Sequence, residues 1–314
     1  MGEIVIRTPG KVSPFERGET IEHALPCRDD FLADAIAGDH CNFEIRHRCF
    51  YYRVLTPFSL TGKRALVAGA SRGIGLAIAK AIAQAGARTV LAARSEEVLE
   101  KQAHALNEAG MSASCIRLDF CDSDSIKRCA DQVGHVDILV NVAGTNVRRR
   151  FEQYTKEEYN YLLQTNLHGL VELTQLVGAK MIAAGKGGKV IHIGSLMSLL
   201  GIPYLSVYAI TKAALGGLTK CTAAEWGRYN IQVNCIAPGF ILTDLNRDMW
   251  QAPEMAQWLA GVQANPKMGS PEDVAPLAVF LAGKGSDYIT GQIIAVDGGY
   301  TTTAVWPFQL PPAA

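Results

Sequence analysis

Residues 64–93 constrain the fold of this chain more than any other stretch. Arg64–Ala68 is a short apolar run of strand length, followed by GASRGIG at 69–75 and then by the helix-forming run LAIAKAIAQAGA. Glycines at 69, 73 and 75 make a tight turn in which the backbone can approach a ligand closely, and the helix that follows offers free N–H groups and the positive end of its dipole. A glycine-rich turn alone is a weak signal, since turns use glycine anyway. This one follows a strand, opens a helix, and leads about twenty residues later to a second strand, Thr89–Ala93; in that setting such a turn cradles the pyrophosphate of a dinucleotide.

The same unit then repeats. A helix over 95–110 leads to a strand Ser114–Leu118 that ends at Asp119, and a helix over 123–133 leads to a strand Asp137–Val140 followed by Asn141, Val142, Ala143 and Gly144. Alternating strands and helices of this length predict an α/β fold, a doubly wound parallel sheet of the Rossmann type with helices on both faces. In such folds an acidic residue at the end of the second strand binds the ribose 2′-hydroxyl. Here that position is Ala93, with Arg94 beside it and Arg72 in the glycine turn. Two guanidinium groups and no carboxylate suit a 2′-phosphate, so the expected cofactor is NADP rather than NAD. The alternative is that both arginines are solvated surface charges. Asp119 can hydrogen-bond an adenine amino group and Asn141 can pin neighbouring strands, or both can be ordinary turn formers.

Composition excludes several other classes. Thirty basic and thirty acidic side chains cancel, so no overall field recruits nucleic acid or an acidic membrane. The 48% hydrophobic and 19% charged fractions describe an ordinary globular chain, and no run approaches eighteen apolar residues. Eight cysteines contain no CxxC pair, which fits reduced thiols and a cytoplasmic protein. Residues 1–57 show no sustained period of 2 or 3.6 and read as an extension of uncertain order, as an arm over the following domain, or as a segment outside the native product. His40, Cys41, His47 and Cys49 lie there, but their spacings match no common zinc pattern, so no metal is expected. A single dinucleotide-binding domain is expected over 58–303, with a tail at 304–314.

A second constellation lies at Ser195–Lys212, SLMSLLGIPYLSVYAITK. Tyr208 and Lys212, at i and i+4, share one face of a helix. At an effective dielectric near 20 and about 4 Å, their attraction is on the order of 4 kcal/mol, which would lower the tyrosine pKa by roughly three units before the lysine's desolvation is subtracted. Any helix can carry such a pair as a packed edge and a solvated charge. What surrounds it has to decide.

The chain from about Ser59 to Thr303 resembles the short-chain dehydrogenases/reductases. The resemblance rests on GASRGIG at 69–75, the Asp119 strand end, NVAG at 141–144, Asn166 in QTNLHG, Ser195, YAITK at 208–212 and PG at 238–239. Two departures, Ala68 for the family's usual Thr and Val142 for the second Asn of its NNAG, remove no reacting group. The resemblance implies that Tyr208 is the general acid or base, that Lys212 lowers its pKa and bonds the nicotinamide ribose, and that Ser195 holds the substrate oxygen. It implies that Asn166 belongs to a proton relay through water and Lys212. It places Gly69, Ser71, Arg72, Gly73, Ile74, Gly75, Arg94, Asp119, Phe120, Asn141, Ala143, Gly144, Tyr208, Lys212, Pro238, Gly239, Ile241 and Thr243 around NADP. It also implies a homotetramer or dimer through helix 206–227 and a long helix near 156–184.

For the substrate, GTNVRRRFEQYTKEEY, GSPEDVAPLAVFLAGKGSDYITGQ and VDGGY are similar to the subgroup that includes gluconate 5-dehydrogenase and 2-dehydro-3-deoxygluconate 5-dehydrogenase. That subgroup carries basic residues after its NAG loop and acts on sugar acids. Arg148 is the matching position, while the preceding subgroup arginine is Val147 here. Arg148, Arg149 and Arg150 either decorate a surface or supply one clamp for a substrate carboxylate. Substrate contacts are therefore expected at Arg148, Ser195 and Tyr208, His192 is expected to be a packed strand residue, and 240–265 is expected to form a lid. The expected reaction is hydride transfer between a nicotinamide and a ketone or secondary alcohol, with a keto sugar acid or polyol as substrate. A 3-oxoacyl-thioester reductase shares most of the motifs, and a nucleotide-binding scaffold without turnover is the rival from another class.

Overall fold

The computed structural model describes residues 56–302, apart from 143, 245 and 251. Expectations for the N-terminal segment, including its histidines and cysteines, for the tail at 304–314 and for Ala143 fall outside the described residues.

Seven strands form one sheet: β1 Arg64–Ala68, β2 Arg88–Ala93, β3 Ala113–Arg117, β4 Ile138–Asn141, β5 Gly188–Ile193, β6 Ile231–Pro238 and β7 Ile293–Val296. Their order is β3-β2-β1-β4-β5-β6-β7 and every pairing is parallel. The order reverses between β1 and β4, so loops leaving their C-terminal ends diverge and leave a crevice there. The helices are α1 Gly73–Gln84, α2 Glu96–Glu108, α3 Ser123–Val133, α4 Lys156–Leu163, α5 Gly169–Ala184, α6 Ser206–Trp226, α7 Arg247–Trp250, α8 Pro253–Val262 and α9 Pro271–Ala282.

Two apolar cores sandwich the sheet. On one face Val67, Ile138, Ile191 and Ile236 meet Ile78 and Ile82 of α1 and Val274 and Leu281 of α9. Ile78 and Ile82 stand one turn apart, which puts both on the inward stripe of α1. Helix α1 gives way at Gly86, whose φ of +101° suits the left-handed turn that returns the chain to the sheet. On the other face Leu66, Leu139, Val190 and Val233 meet Ile126, Leu170, Leu173 and Val177. Strands buried on both faces read as nearly continuous apolar runs, which is why they were visible in the sequence.

One element differs from expectation. The helix anticipated over 156–184 is interrupted by a π-helical turn, Gln164–His168, between α4 and α5. Just beyond it, a Cβ on Gly169 would lie 2.4 Å from the Phe120 carbonyl oxygen, so only glycine lets this segment come so close to the loop after β3. The segment 240–265 holds two short helices, α7 and α8. Among the described residues no helix is long and apolar enough to cross a membrane.

Candidate active site

The glycine turn is built from backbone contacts. Gly69 and Gly73 have φ of +100° and +56°, and a Cβ on Gly75 would lie 2.1 Å from the Gly69 carbonyl oxygen. Gly69 and Ala70 donate their N–H groups to Ala92 O, at 2.7 and 3.1 Å, tying the turn to β2. Helix α1 starts after Arg72 with no side-chain cap and no acidic residue in its first turn. Its free N–H groups and dipole therefore face the crevice without competition from a carboxylate. Arg72 and Arg94 are exposed and make no ion pair among the described residues, while Ser71 and Ile74 are half-buried within the turn. A bare helix start, a cradle closed to any side chain and two free guanidinium groups fit a dinucleotide carrying a 2′-phosphate.

The other wall comes from the ends of β4 and β6. Asn141 is fully buried and donates to Thr174 Oγ1 on α5 at 2.9 Å and to His192 Nδ1 on β5 at 3.2 Å. Its amide thus ties two strands to a helix, as a pin would. His192 is fully buried, and burial lowers its pKa to about 4, so the imidazole is a neutral packed residue. Val142 packs against the apolar core facing α1. Gly144 is close to Lys212: a Cβ there would stand 3.2 Å from Nζ. Pro238 ends β6, and Gly239 passes so near Asp297 that a Cβ would lie 2.6 Å from its Cα. Ile241 bridges to Gly269, and Thr243 closes over the glycine turn, its Cγ2 3.5 Å from where a Gly73 Cβ would be. Asp119 uses one carboxylate oxygen to accept from Cys121 N at 3.0 Å, the turn-forming role, and Phe120 is buried beside the π-helical turn.

Ser195 follows β5 directly, and α6 presents Tyr208 and Lys212 beside it. The Ser195 side chain is close enough to the Tyr208 phenol to favour its ionised form slightly. Lys212 is buried, donates to Ile193 O at 2.9 Å, and its Nζ lies 5.7 Å from the centroid of the Tyr208 ring. The expectation that Lys212 depresses the tyrosine pKa is not met in the protein alone. Burial raises the Tyr208 phenol, against a smaller lowering by the Ser195 side chain, while burial lowers Lys212 to about 8. The physical reason is geometric: the ammonium is drawn to the Ile193 carbonyl, and desolvation of the phenol outweighs a charge lodged beside its ring. A raised pKa keeps the phenol protonated at neutral pH, which is the form that donates a proton.

Asn166 sits in the π-helical turn and is fully buried. Its Oδ1 accepts from Thr145 N and its Nδ2 donates to Thr145 O, both at 2.8 Å, with Thr211 Oγ1 at 3.4 Å from Nδ2. Both ends of the amide hold the loop after β4. That loop is fixed twice more. The Tyr154 hydroxyl donates to Val147 O at 2.6 Å, and Arg149 N donates to Tyr204 O at 3.0 Å. Tyr204 adopts a φ of +68°, an uncommon conformation for a bulky residue, between Ser195 and Tyr208.

The three arginines separate sharply. Arg149 holds Glu158 with Nε at 2.8 Å and Nη2 at 2.7 Å, and Arg150 opens the 3-10 turn Phe151–Gln153. Arg148 has no carboxylate partner among the described residues; its guanidinium lies against the Met249 side chain of α7. Sequence reasoning missed Tyr154, Tyr204, Glu158 and Met249. The TKEE pattern at 155–158 announces the capping box that Glu158 completes. Nothing local marks the other three. Above this loop Phe240 packs edge-on against Trp250, Trp258 and Tyr300, with ring centroids 5.3, 5.3 and 4.9 Å away, so α7 and α8 are tied to the ends of β6 and β7. No cluster of metal-ligating side chains occurs among the described residues.

A doubly wound sheet, a glycine cradle at its switch point and a Ser–Tyr–Lys set across the crevice define a nucleotide-dependent oxidoreductase site. Residues 69–301 match the family model described as Enoyl-(Acyl carrier protein) reductase. The chain is 36% identical over 250 residues to gluconate 5-dehydrogenase of Gluconobacter oxydans, covering 78% of this chain and 97% of that protein. It is likewise 36% identical over 245 residues to the 3-oxoacyl-(acyl-carrier-protein) reductase of Chlamydia trachomatis, covering 76% of this chain and 98% of the relative. A crystal structure of a gluconate 5-dehydrogenase from Burkholderia cenocepacia in complex with NADP and tartrate superposes with a TM-score of 0.77 at 36% identity, covering 80% of this chain and all of that one (100%). The chain belongs to the short-chain dehydrogenase/reductase family.

Proposed function

We propose that this protein is an NADP(H)-dependent oxidoreductase that interconverts a ketone and a secondary alcohol on a small sugar acid, as a gluconate 5-dehydrogenase does. The observation that carries the reading is the grouping of Tyr208, Ser195 and buried Lys212, whose Nζ lies 5.7 Å from the tyrosine ring, in a sheet that also carries the glycine turn. The dinucleotide supplies the hydride when bound. In ketone reduction Tyr208 gives its proton to the carbonyl oxygen, Ser195 holds that oxygen beside it, and the Lys212 ammonium stabilises the phenolate left behind. Asn166 acts as a positioning residue by fixing Thr145 and takes part in a proton relay through water and Lys212. Arg72 and Arg94 bind the 2′-phosphate, and Gly69, Ser71, Gly73, Ile74, Gly75, Asp119, Phe120, Asn141, Ala143, Gly144, Pro238, Gly239, Ile241 and Thr243 complete the cofactor site.

The anionic substrate rests on Arg148, which, like Arg150 and unlike Arg149, meets no carboxylate among the described residues and stands at the position that matches the subgroup's basic residue after the NAG loop. Support also comes from the Burkholderia cenocepacia structure, which is in complex with NADP and tartrate. A homo-oligomer, tetramer or dimer, is proposed through the exposed Tyr159 and Tyr161 on α4 and Ile210 on α6. The reading also includes one dehydrogenase domain over 58–303 with flanking segments, a cytoplasmic location, and no nucleic-acid or membrane partner. A 3-oxoacyl-thioester reductase is the second reading, favoured by the Chlamydia relative and by the apolar lid. NADPH oxidation with 5-ketogluconate and with an acetoacetyl thioester decides between them. Turnover of the sugar acid alone supports the proposal, and turnover of the thioester alone refutes its substrate assignment.

A further inference from the structure

We infer that Tyr204 is a specificity-determining residue: its ring forms a wall beside the reacting carbonyl and packs against the carbon chain of the substrate, the C–H face of a sugar acid in the proposed reaction. The inference rests on the reading of Ser195, Tyr208 and Lys212 as a ketone-reducing site.

Among the described residues only Tyr204 and Asn230 hold a positive φ without being glycine. Asn230, at +57°, closes a helical turn, a place where asparagine tolerates the left-handed conformation. Tyr204, at +68°, is a bulky side chain in a conformation that glycine adopts freely. Such strain persists only where the surroundings hold it, and it clusters at ligand sites. The surroundings that hold it here are two hydrogen-bonding groups. The Tyr204 carbonyl accepts from Arg149 N at 3.0 Å, with the Tyr154 hydroxyl 3.3 Å away, so the strained residue is clamped to the loop that follows β4. The connection it belongs to runs from Ser195, at the end of β5, to α6, which carries Tyr208.

Packing does not account for a tyrosine at this position. Tyr204 is 57% exposed, and neither its ring nor its hydroxyl has a partner among the described residues. A glycine would relieve the strain and keep both bonds to the carbonyl. What glycine lacks is a rigid, amphipathic face, the kind of surface that lines small-molecule sites at little conformational cost.

The test measures NADPH-dependent reduction of 5-ketogluconate, the Kd for NADPH and Tm in the full-length protein carrying Tyr204→Gly, Tyr204→Ala or Tyr204→Phe. Losing the ring should raise KM about three- to tenfold in the Gly and Ala variants, with kcat and the NADPH Kd within about twofold of wild type. Tyr204→Phe keeps the ring and should stay within about twofold in every quantity. Tyr204→Gly should melt about 2–8 °C above Tyr204→Ala, because glycine alone releases the strain. An unchanged KM in the Gly and Ala variants, or a Phe variant that loses as much as Ala, would overturn the ring contact. So would a fall in kcat as large as the rise in KM, which marks a residue that only shapes the loop. Equal Tm for Gly and Ala would remove the strain on which the inference stands. If the wild-type enzyme reduces only the acetoacetyl thioester, the sugar-acid reading fails by itself, and the same KM comparison made with the thioester decides the role of Tyr204. Turnover of neither substrate by the wild type ends both.

Discussion

Gly75→Ala is the perturbation whose cost follows most directly from the structure. The added Cβ would lie 2.1 Å from Gly69 O, 2.8 Å from Gly69 C and 3.3 Å from Ala70 Cα, all backbone atoms that have no rotamer to change. Restoring an ordinary contact needs a retreat of about 1 Å, since close-packed carbon and oxygen atoms stand more than about 3 Å apart. The turn cannot supply it, because β1 behind it is fully buried over Ala65–Ala68 and Gly69 is tied to Ala92 O. The start of α1 must move outward instead, away from the position the pyrophosphate would occupy. A misplacement near 1 Å costs about a hundredfold at a preorganised site, so the Kd for NADPH should rise about 10- to 100-fold. Overpacking of this kind costs about 1–3 kcal/mol, which for a domain of this size lowers Tm by roughly 2–12 °C. NADPH fluorescence titration and differential scanning fluorimetry read the two effects. Gly227→Ala is the control, since a Cβ there meets nothing within 4 Å, and both quantities should stay at wild-type values. Gly75→Ala with unchanged Tm and NADPH affinity within threefold would refute the cradle.

Other consequences follow from single groups. Asn166→Ala strips both partners from the Thr145 backbone; leaving buried groups unpaired costs about 1–3 kcal/mol each, so unfolding in urea should shift measurably and kcat should fall more than the Kd for NADPH rises. Lys212 is charged below its pKa of about 8, so kcat/KM for ketone reduction should decline as pH rises through 8, whereas the raised Tyr208 does not titrate in that range. A profile flat from pH 7 to 9.5 would contradict it. The same depressed pKa means that the folded chain holds fewer protons than the unfolded one between about 8 and 10.5, so Lys212 makes stability rise, not fall, with pH across that window. Arg94→Asp removes one guanidinium from the adenosine corner and should move cofactor preference from NADPH toward NADH; an unchanged ratio of kcat/KM values would undo the 2′-phosphate assignment.

The parts of this molecule legible in the sequence are those written in local pattern. Strands β1 and β4 are buried on both faces and appear as apolar runs, and the glycine turn announces itself because Gly75 and Gly69 touch backbone to backbone. The spacing of Tyr208 and Lys212 gave their shared face but not their electrostatics, because the carbonyl that captures Nζ belongs to Ile193, on β5. The π-helical turn was hidden: QTNLHG carries ordinary helical residues, and the irregularity comes from the buried amide of Asn166 reaching Thr145, 21 positions earlier. The three arginines could not be ranked from their own stretch. What separates them is Glu158 for one and Met249, 101 positions away, for another.

The proton transfer assigned to Tyr208 is tested most directly by Tyr208→Phe, which removes one hydroxyl and keeps the ring that packs beside Lys212. NADPH-dependent ketone reduction should fall by about a thousandfold or more while the Kd for NADPH stays within a few-fold of wild type. A variant that turns over at the wild-type rate would contradict the mechanism at its centre.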